Sequence, residues 1–539
     1  MLTAALALVL AASPRVAVTV DDLPFVGGVA PGDTKARAIA RIVDVLRRHE
    51  VPAVGFVTCR NIDDAAPLAA WSGAELGNHT TRHKSVDALG VRGFVDDAVA
   101  CGARIARETG RAPRFFRYPF LQTGKTADVR DEGARAIRAE RMTIAPVSID
   151  TSDWAFDDAY LDALRAHDAG RARDVVAAYL HHMDAAARRY RDIARERFGR
   201  DVDQVLLVHA NAINADHLDD VLTGLERTGF TYVSLEDALR DPAYALADDY
   251  AGGIGMSWLY RAHTTDARIA PRTRWAWDDA QVAGVTLRFR GAAGGDVHIG
   301  DLTLRALDAH AFLVVDEKPW AANSLLLEFA DGSTGLLSTP YDEAATRDLV
   351  DFVSAVWGAP PSFAVDSHFH FDGAGGNHAL EAAGVPVYGS DLTVRMLRER
   401  GDAMKAQTLA YLDGDPATKA RIEATPLTPP DHVFVASDGL VLERGGERVE
   451  VRFPGPAHAP DNVVVWLPAR RLLFGGCMLL GQGRVVNKAD ADLARWPAAL
   501  RAVRALVGTA PARIVPGHGA VTDDGLIERS IGFVDGTAR

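Results

Sequence analysis

One stretch of eleven residues, SHFHFDGAGGN, constrains this chain more than any other, because it gathers side chains that bind metals within a short span. His368, His370 and Asp372 alternate there with the aromatic residues Phe369 and Phe371. If the segment is extended, alternate side chains share one face, so the three polar groups converge and the two rings turn into the core. Imidazole plus carboxylate is a suitable ligand set for zinc. We therefore predict a metal site here, against the alternative of a polar strand end with accidental histidines.

Length and composition indicate a globular protein of more than one domain. The chain has 539 residues, so two or three domains with full cores are expected. With 48% hydrophobic and 24% charged residues, its composition is ordinary for a soluble protein. The net charge is -13 and no patch rich in lysine and arginine stands out, so nucleic acid is not an expected partner.

Residues 1–13 form a short apolar run that ends in small residues, including Ala11 and Ser13. The run resembles the apolar part and cleavage site of a secretory signal, although the usual positive charge before it is missing. We expect export to the periplasm or the medium, with a buried strand or helix of the first domain as the alternative. No later stretch reaches the roughly 18 unbroken apolar residues of a membrane span, so no span is expected in the mature chain.

The chain has three cysteines, Cys59, Cys101 and Cys477, too few for a disulfide scaffold. In an oxidising compartment Cys59 and Cys101 could pair, but the sequence alone does not place them side by side. Cys477 is the odd one, and it follows two glycines in the second half of the chain.

The first half begins with a buried strand, RVAVTV, that leads into the carboxylates Asp21 and Asp22. In α/β folds, functional sites collect at the C-terminal ends of the strands. A helix at Lys35–His49 and a strand at Val51–Thr58 are predicted next, and similar alternation continues to about Leu239. This pattern favours parallel strands with helices outside.

Further polar residues follow in the same half. His79 and His83 are four residues apart, on one face if the segment is a helical turn, and with Asp22 they would make a site of two histidines and one carboxylate. Three more short motifs follow, and each alone is more simply explained as structural. All of them in this order form a specific signal of a functional site. They are an arginine near a proline, an aspartate before an indole, and a histidine at a strand end: Arg117, Asp153, Trp154 and His209.

These motifs resemble the polysaccharide deacetylase (NodB-homology) family over residues 14–240, with a tail to about residue 283 packed on that part. The resemblance implies a distorted (β/α) barrel that removes acetyl groups from an N-acetyl amino-sugar polymer, plausibly peptidoglycan. It also implies one divalent metal, zinc or a similar ion, in the first half. The implied ligands are Asp22, His79 and His83.

The same resemblance assigns roles to the remaining groups. Asp21 would be the general base and His209 the general acid, which fits the proton transfers that amide hydrolysis needs. Arg117 would orient Asp21, Asp153 would tune His209, and Trp154 would line the substrate groove.

From about residue 241 to 293 the periodicity weakens and turn residues become frequent. Trp258, Trp275 and Trp277 indicate that this stretch packs on something and is not a free linker. The predicted organisation is a possible signal segment, a deacetylase-like domain, a junction and a second domain: residues 1–13, 14–283, 284–296 and 297–539.

The second half reads as short strands joined by turns, then a helix at Asp342–Trp357 and a strand at Phe363–Asp366. Strands and helices in this order favour an αβ/βα sandwich. Three more residues that can bind metals follow, His458, Cys477 and His518, and Cys477 is expected to act as a thiolate. Together with the first stretch they give six ligands, enough for two zinc ions.

These residues look like the metallo-β-lactamase superfamily, specifically the subclass B1 β-lactamases, over residues 297–539. The cysteine ligand favours the β-lactamase branch. The resemblance implies a small-molecule β-lactam as substrate, with Asp372 acting both as ligand and in catalysis. The implied ligands are His368, His370 and His458 for the first zinc, and Asp372, Cys477 and His518 for the second.

The resemblance also implies substrate contacts. Asn487 would help bind the carbonyl oxygen, and Trp320 would lie on a mobile loop over the substrate. One departure is Leu480, where the family often has a lysine for the substrate carboxylate, so Arg484 or Lys488 would supply the charge instead. A second departure is Gly373, where an arginine usually follows the ligand aspartate.

The leading hypothesis is therefore a fusion of two zinc-dependent hydrolases, a β-lactamase and a carbohydrate deacetylase. Two alternatives stay open. In one, the second domain hydrolyses a lactone or thioester and deacetylation is the main activity. In the other, the first half is a module that only binds the cell wall.

Overall fold

The computed structural model describes residues 13–63, 66–71, 73–263, 279–290, 295–485 and 487–538. The chain divides into two compact units, Met1–Ala293 and Gly294–Arg539, and the division falls inside the stretch predicted as the junction. The signal prediction for residues 1–13, apart from Ser13, lies outside the described residues, and so do Trp275 and Trp277. Within the described residues, no helix is both long enough and apolar enough to cross a bilayer.

The first unit is built on one parallel sheet with the strand order β5-β4-β3-β2-β1-β6, and β7 pairs with β1. The sheet closes on itself because Ile149, just after β5, pairs in parallel with Leu206 of β6. The α/β class and the distorted barrel are thus confirmed. The strands are β1 (Arg15–Leu23), β2 (Val54–Val57), β3 (Glu75–Asn78), β4 (Phe115–Phe116), β5 (Thr143–Ile144), β6 (Gln204–His209) and β7 (Thr231–Tyr232).

Helices cover the outside of this sheet and begin where the sequence supplies caps. Thr34, for example, accepts a hydrogen bond from the amide of Arg37, and the face of α1 that carries Ile39 and Ile42 is fully buried. The helices are α1 (Lys35–Arg48), α2 (Val86–Thr109), α3 (Ala127–Ala139), α4 (Trp154–Arg165), α5 (Ala169–Phe198), α6 (Ala212–Arg227), α7 (Leu235–Ala238), α8 (Trp258–Arg261) and α9 (Asp279–Arg290).

Helix α9 changes the expected end of the first domain. The prediction ended that domain at residue 283, but the helix continues to Arg290. Val282, Ala283 and Val285 are buried, so the helix packs by its apolar side chains as part of the first unit. Gly284 lies inside this helix, and a single glycine is tolerated inside a packed helix.

A disulfide joins Cys59, which follows β2, to Cys101 in α2, across 42 residues of chain. Both residues are fully buried. The bond thereby fixes the end of β2, where Thr58 donates a hydrogen bond to Asp22.

Replacing both Cys59 and Cys101 by alanine should lower the free energy of unfolding of the first unit by about 4 kcal/mol, the entropy that a closed loop of this length removes from the unfolded chain. Urea unfolding of the full chain checks this, with the transition of the second unit as the internal control. An unchanged midpoint for the first unit would contradict the expectation.

The second unit contains two sheets. One has eight strands in the order β15-β14-β13-β12-β11-β10-β9-β8, and the other has six in the order β16 to β21. The strands are β8 (Val297–Ile299), β9 (Leu302–Asp308), β10 (Ala311–Asp316), β11 (Ala322–Glu328), β12 (Thr334–Leu337), β13 (Phe363–Val365), β14 (Val387–Ser390), β15 (His432–Phe434), β16 (Leu440–Arg444), β17 (Glu447–Arg452), β18 (Val464–Leu467), β19 (Leu472–Gly476), β20 (Arg513–Pro516) and β21 (Thr522–Asp523).

The two sheets pack face to face, and helices cover their outer faces. Side chains such as Leu325 and Val365 of the first sheet share a buried cluster with Val465 and Phe474 of the second. This arrangement confirms the predicted αβ/βα sandwich. The helices are α10 (Glu343–Trp357), α11 (Phe371–Ala374), α12 (Asn377–Ala382), α13 (Asp391–Tyr411), α14 (Pro416–Ala424), α15 (Trp496–Val507) and α16 (Gly525–Ala538).

Two local expectations about the ligand segments are wrong. The stretch after β13 is not extended: residues 367–370 form bends, and α11 begins at Phe371. The segment from His79 to His83 is not a helical turn, because Thr80 and His83 have positive φ angles of 69° and 50°. In both cases the burial of neighbouring side chains, such as Phe369 at 0% exposure, sets the backbone path more strongly than local periodicity does.

Candidate metal centres

The first unit brings Asp22, His79 and His83 together, with one potential ligand atom of each within 4.8 Å of the others. His79 Nε2 lies 3.2 Å from His83 Nε2, and His83 Nε2 lies 3.6 Å from Asp22 Oδ1. Asp22 lies near the C-terminal end of β1, and His79 and His83 follow the C-terminal end of β3. Thr80 helps to shape the loop, since its hydroxyl accepts a hydrogen bond from the amide of His83.

The donor set in this unit fits a divalent cation. His79 Nδ1 donates to the carbonyl of Arg117 at 2.8 Å, which leaves a lone pair on Nε2. Burial lowers the pKa of both His79 and His83 to about 4, so both rings are neutral. Two neutral imidazole nitrogens that face each other beside the carboxylate of Asp22 are arranged as ligands of a metal such as zinc.

Asp21 and Arg117 lie beside these ligands. The carboxylate oxygen Asp21 Oδ2 is 3.5 Å from Arg117 Nη1 and 3.7 Å from His79 Nε2. Within the described part of the chain, the other oxygen, Oδ1, is buried without a hydrogen-bond partner. Burial raises the pKa of Asp21 to about 6, although Arg117 opposes the shift. Arg117 is itself held by Thr19, whose hydroxyl accepts from Nη2 at 3.0 Å.

His209 ends β6 and contacts Asp153, as the resemblance implies. His209 Nδ1 is 2.6 Å from Asp153 Oδ1, and the backbone amide of His209 donates to the other carboxylate oxygen. Burial alone would lower the pKa of His209, but the Asp153 carboxylate outweighs it and raises the pKa to about 10. Asn214 also donates to Asp153 at 2.6 Å, a contact that the sequence did not signal.

Two aromatic side chains near these polar groups are exposed. Trp154, expected to line the groove, follows Asp153 directly and is 50% exposed. Phe120 is 54% exposed, and its ring centroid lies 4.5 Å from that of His83. Sequence reasoning missed Phe120, which follows Pro119 in the segment that carries Arg117.

In the second unit, His368, His370 and His458 form one group of potential ligands whose atoms lie within 4.8 Å of one another. His370 Nδ1 is 3.2 Å from His458 Nε2. Among the described residues, His368 Nε2 is fully buried and has no hydrogen-bond partner, while Nδ1 faces the hydroxyl of Ser367 at 3.0 Å. Buried imidazole nitrogens that converge in this way, one of them without a hydrogen-bond partner among the described residues, fit a zinc ion.

The carboxylate of Asp372 lies close to three other predicted ligands, Cys477, His518 and His368. Its Oδ2 lies 2.9 Å from Cys477 Sγ and 3.1 Å from His518 Nε2, and its Oδ1 lies 3.5 Å from His368 Nε2. Burial raises the pKa of the Cys477 thiol well above its ordinary value, so the thiolate needs a neighbouring cation. The six predicted ligands are thus in one place, and their nitrogen, oxygen and sulfur atoms are of the kinds that bind zinc.

Two glycines make this close approach possible. A Cβ at Gly373 would come within 2.2 Å of the carbonyl oxygen of His368, so no arginine fits there. A Cβ at Gly517, next to His518, would come within 2.5 Å of Cys477 Sγ. The departure at Gly373 is therefore part of how this chain packs its ligands.

A cavity of about 530 Å³ opens at these ligands. Its lining includes Trp320, Arg484 and Asn487, three of the predicted substrate-binding residues, but not Lys488. Leu480 is 5% exposed and packs in the core beneath α15 and α16, so its side chain is not available to a substrate. Of the two replacements for the missing lysine, the structure places Arg484 in the cavity wall.

Asp490 was not assigned a role from the sequence, yet it contacts a predicted ligand. Its Oδ2 is 3.0 Å from His370 Nε2, and its Oδ1 is 2.5 Å from Arg400 Nη1 on α13. This pair orients the ring of His370 so that Nδ1 faces His458.

Replacing Asp490 by asparagine should weaken zinc binding in the second unit by about 10- to 100-fold, the usual cost of losing a carboxylate behind a ligand histidine. Competition with a chromophoric chelator measures the affinity. Asp402→Asn, at an exposed position of α13, is the matched control and should leave the affinity unchanged. Equal affinities for the two variants would contradict the role of Asp490.

Comparison with known families agrees with both halves. A family model for polysaccharide deacetylases matches residues 11–137, and one for the metallo-β-lactamase superfamily matches residues 358–518. The metallo-β-lactamase type 2 of Bacteroides fragilis is 32% identical over 197 residues, which cover 36% of this chain and 68% of that protein. Its counterpart from Pseudomonas aeruginosa is 30% identical over 196 residues, covering 36% and 67%.

Some solved metallo-β-lactamase structures are also similar to part of this chain. The metallo-β-lactamase from Pontibacter korlensis is 26% identical, covers 43% of this chain and 99% of its own, and has a TM-score of 0.37. Both resemblances drawn from the sequence are confirmed. The chain carries a polysaccharide deacetylase domain at its N-terminus and, through its second unit, belongs to the metallo-β-lactamase family.

Proposed function

We propose that the second unit hydrolyses the amide bond of β-lactams with two zinc ions. The main support for this proposal is the distance of 2.9 Å between Cys477 Sγ and Asp372 Oδ2. Both atoms lie near His518 and the group of three histidines. The relatives that share this region are named metallo-β-lactamases.

His368, His370 and His458 would hold one zinc, and Asp372, Cys477 and His518 the other. Zinc supplies a Lewis acid for the carbonyl and an activated water near neutral pH. Asn487, in the cavity wall, offers an amide donor to the carbonyl oxygen where charge develops. Arg484 offers a cation for the substrate carboxylate in place of the lysine that Leu480 replaces.

We further propose that the first unit deacetylates an N-acetyl amino-sugar polymer such as peptidoglycan. Asp22, His79 and His83 would hold one divalent metal, which polarises the amide carbonyl when bound. Asp21, with a pKa near 6, accepts the proton of the attacking water, and Arg117 fixes its orientation. His209, kept protonated by Asp153, donates a proton to the leaving amine.

A lactone or thioester substrate for the second unit is the second candidate, favoured by the buried Leu480 in place of the carboxylate-binding lysine. Comparing the turnover of nitrocefin with that of a simple lactone separates the two. The idea of a module that only binds the wall is disfavoured by the complete acid–base set around Asp21 and His209.

Export from the cytoplasm is proposed as well. The Cys59–Cys101 disulfide is typical of an oxidising compartment such as the periplasm. Both proposed activities act on targets found outside the cytoplasm.

Metal removal tests both proposals in one protein. Chelation of the full chain should abolish nitrocefin hydrolysis and acetate release from N-acetylglucosamine oligomers, and added zinc should restore both, because each site needs a cation to polarise a carbonyl. Zinc-loaded protein that hydrolyses neither a carbapenem nor a cephalosporin would refute the β-lactamase proposal. Acetate release that persists in the chelated protein would refute the metal-dependent mechanism of the first unit.

A further inference from the structure

The first unit contains a cavity of about 370 Å³ between α3, the segments that follow β4 and β5, and residues 244–261. Two backbone contacts hold residues 244–261 against those segments. Gly252 pairs with Gly124 after β4, and the amide of Trp258 donates a hydrogen bond to the carbonyl of Val147 after β5 at 2.6 Å. Part of the stretch that follows the regular alternation of the first half thus forms one wall of this cavity.

The wall of this cavity carries more positive than negative charge, although the net charge of the chain is -13. Four arginines but only two aspartates line it, and we refer to it as the arginine cavity. Guanidinium groups bind carboxylate and phosphate groups through two parallel hydrogen bonds. The charged residues of the wall are Arg117, Arg130, Arg138 and Arg261, with Asp131 and Asp248.

Neighbouring groups hold two of these guanidinium groups in place. Arg261, which is 6% exposed, forms an ion pair with Asp248, and its Nη2 donates to Thr123 Oγ1 at 2.9 Å. Arg130 Nη1 donates to the backbone carbonyl of Tyr250 at 3.1 Å. Because both side chains are held before a ligand binds, binding would cost little of their conformational entropy.

The hydroxyl of Tyr118 is a further hydrogen-bond donor in this wall. Tyr118 is 3% exposed, and among the described residues its hydroxyl has no hydrogen-bond partner. Burial raises the pKa of Tyr118, and the positive charges of Arg138 and Arg261 oppose that shift, so both guanidinium groups lie near the hydroxyl. A buried hydroxyl without a partner is costly, and an anion beside these arginines would accept its hydrogen bond.

The remaining wall of the arginine cavity is mainly apolar. Ile144 and Pro146 line it on the side of β5, and Leu246 and Met256 line it on the side of residues 244–261. Leu246 is 38% exposed, so its side chain is open to a ligand. The volume lies in the range of sites that bind small organic molecules, and it exceeds what an inorganic anion fills. The occupant should therefore have an apolar body as well as a charge.

We propose that the arginine cavity binds a small organic anion, with its carboxylate or phosphate group near Arg138, Arg261 and Tyr118 and its apolar body against the remaining wall. The site differs from the candidate metal centre, because none of that centre's three ligands is among the described residues that line it. Arg117 lines the cavity and also contacts Asp21, so the two sites share one side chain. The proposal does not depend on either proposed activity.

Isothermal titration calorimetry of the full chain with four probes tests this proposal. Benzoate and phenyl phosphate carry a ring and an anionic group, benzyl alcohol carries the ring without the charge, and inorganic phosphate carries the charge without the ring. We expect at least one of the two ring anions to bind with a Kd below about 1 mM, and the tighter of them identifies the preferred anionic group. Benzyl alcohol and inorganic phosphate should each bind at least about tenfold more weakly.

Three variants locate the binding in the arginine cavity. Arg138→Gln should weaken the binding of the ring anion by about tenfold, since it removes a charged donor at an exposed position. Tyr118→Phe should weaken it by about threefold without loss of stability, because the hydroxyl has no partner to lose among the described residues. Arg135→Gln is the matched control, since Arg135 is also exposed on α3 but is not among the described lining residues.

Chelation separates this site from the metal centres, which can also bind carboxylates and phosphates. Binding that persists in the chelated protein and is weakened by Arg138→Gln and Tyr118→Phe, but not by Arg135→Gln, would support the proposal. Binding that chelation abolishes and Arg138→Gln leaves unchanged belongs to the metal centres and would overturn it. The proposal also fails if neither ring anion binds, or if benzyl alcohol binds as tightly as the anions.

Discussion

Replacing Asp372 by asparagine is expected to lower kcat/KM for nitrocefin by about a thousandfold, because a zinc ion contributes several kcal/mol to the hydrolysis of an amide. The carboxylate contacts both Cys477 and His518, at 2.9 and 3.1 Å. Asparagine keeps the shape but removes the negative charge, so the group formed by Asp372, Cys477 and His518 would hold a zinc ion more weakly. The readouts are steady-state hydrolysis and zinc content by mass spectrometry.

The same variant provides its own control for folding. The first unit has its own core and its own ligand group, so acetate release by the Asp372→Asn protein should equal that of the wild-type protein. Asp402→Asn, an exposed aspartate on α13, controls for a general effect of lost charge. An Asp372→Asn protein that hydrolyses nitrocefin at the wild-type rate would show that this carboxylate is not part of the catalytic centre.

The ligand residues could be predicted because their chemistry is local to short motifs. Histidine, cysteine and carboxylate at the ends of apolar runs are costly to bury without a partner, so their joint occurrence already indicates a shared site. The structure gathers all six candidates of the second unit around Asp372, and all three of the first unit around His79. The sandwich followed from the order of strands and helices, whereas the alternation in the first half indicated only parallel strands with helices outside, and the barrel was implied by the family resemblance.

The backbone path through those motifs could not be predicted. Periodicity suggested an extended segment at His368–Asp372, but the backbone bends and a helix begins at Phe371, and Phe369 and Phe371 are buried in the same apolar cluster. Contacts between residues far apart in the chain could not be predicted from the sequence either. Asp490 lies 120 residues from His370, and neither its spacing nor its neighbours mark it as a partner.

The residues that line the cavity could not be predicted from the sequence either. Arg484 and Lys488 were equivalent in sequence, since either could replace the lysine that is missing at Leu480, but only Arg484 lines the cavity. Helix α13 also lines this cavity, and its contribution depends on where a 21-residue helix ends relative to the loop that carries Trp320. Such distances are set by tertiary packing, so a resemblance to a family predicts the chemistry of a site better than its substrate preference.

Replacing Asp21 by asparagine should reduce acetate release from N-acetylglucosamine oligomers by about 10²- to 10⁴-fold, the usual contribution of a positioned general base. The side chain is buried, its pKa is raised to about 6, and Oδ1 has no hydrogen-bond partner among the described residues, so one oxygen is free to accept a proton. An amide of the same size keeps the packing against Arg117 but has no such basicity. Metal content should stay constant, since Asp22, His79 and His83 are unchanged.

Two comparisons make this result specific to the base. Asp128→Asn, an exposed aspartate in the first turn of α3, should release acetate at the wild-type rate. If Asp21→Asn keeps full activity with its metal bound, another group must take the proton, and the assignment of Asp21 is wrong. If activity and metal are lost together, Asp21 acts through the metal site and not as the base. The expected loss of rate at constant metal content therefore separates proton transfer from metal binding in the first unit.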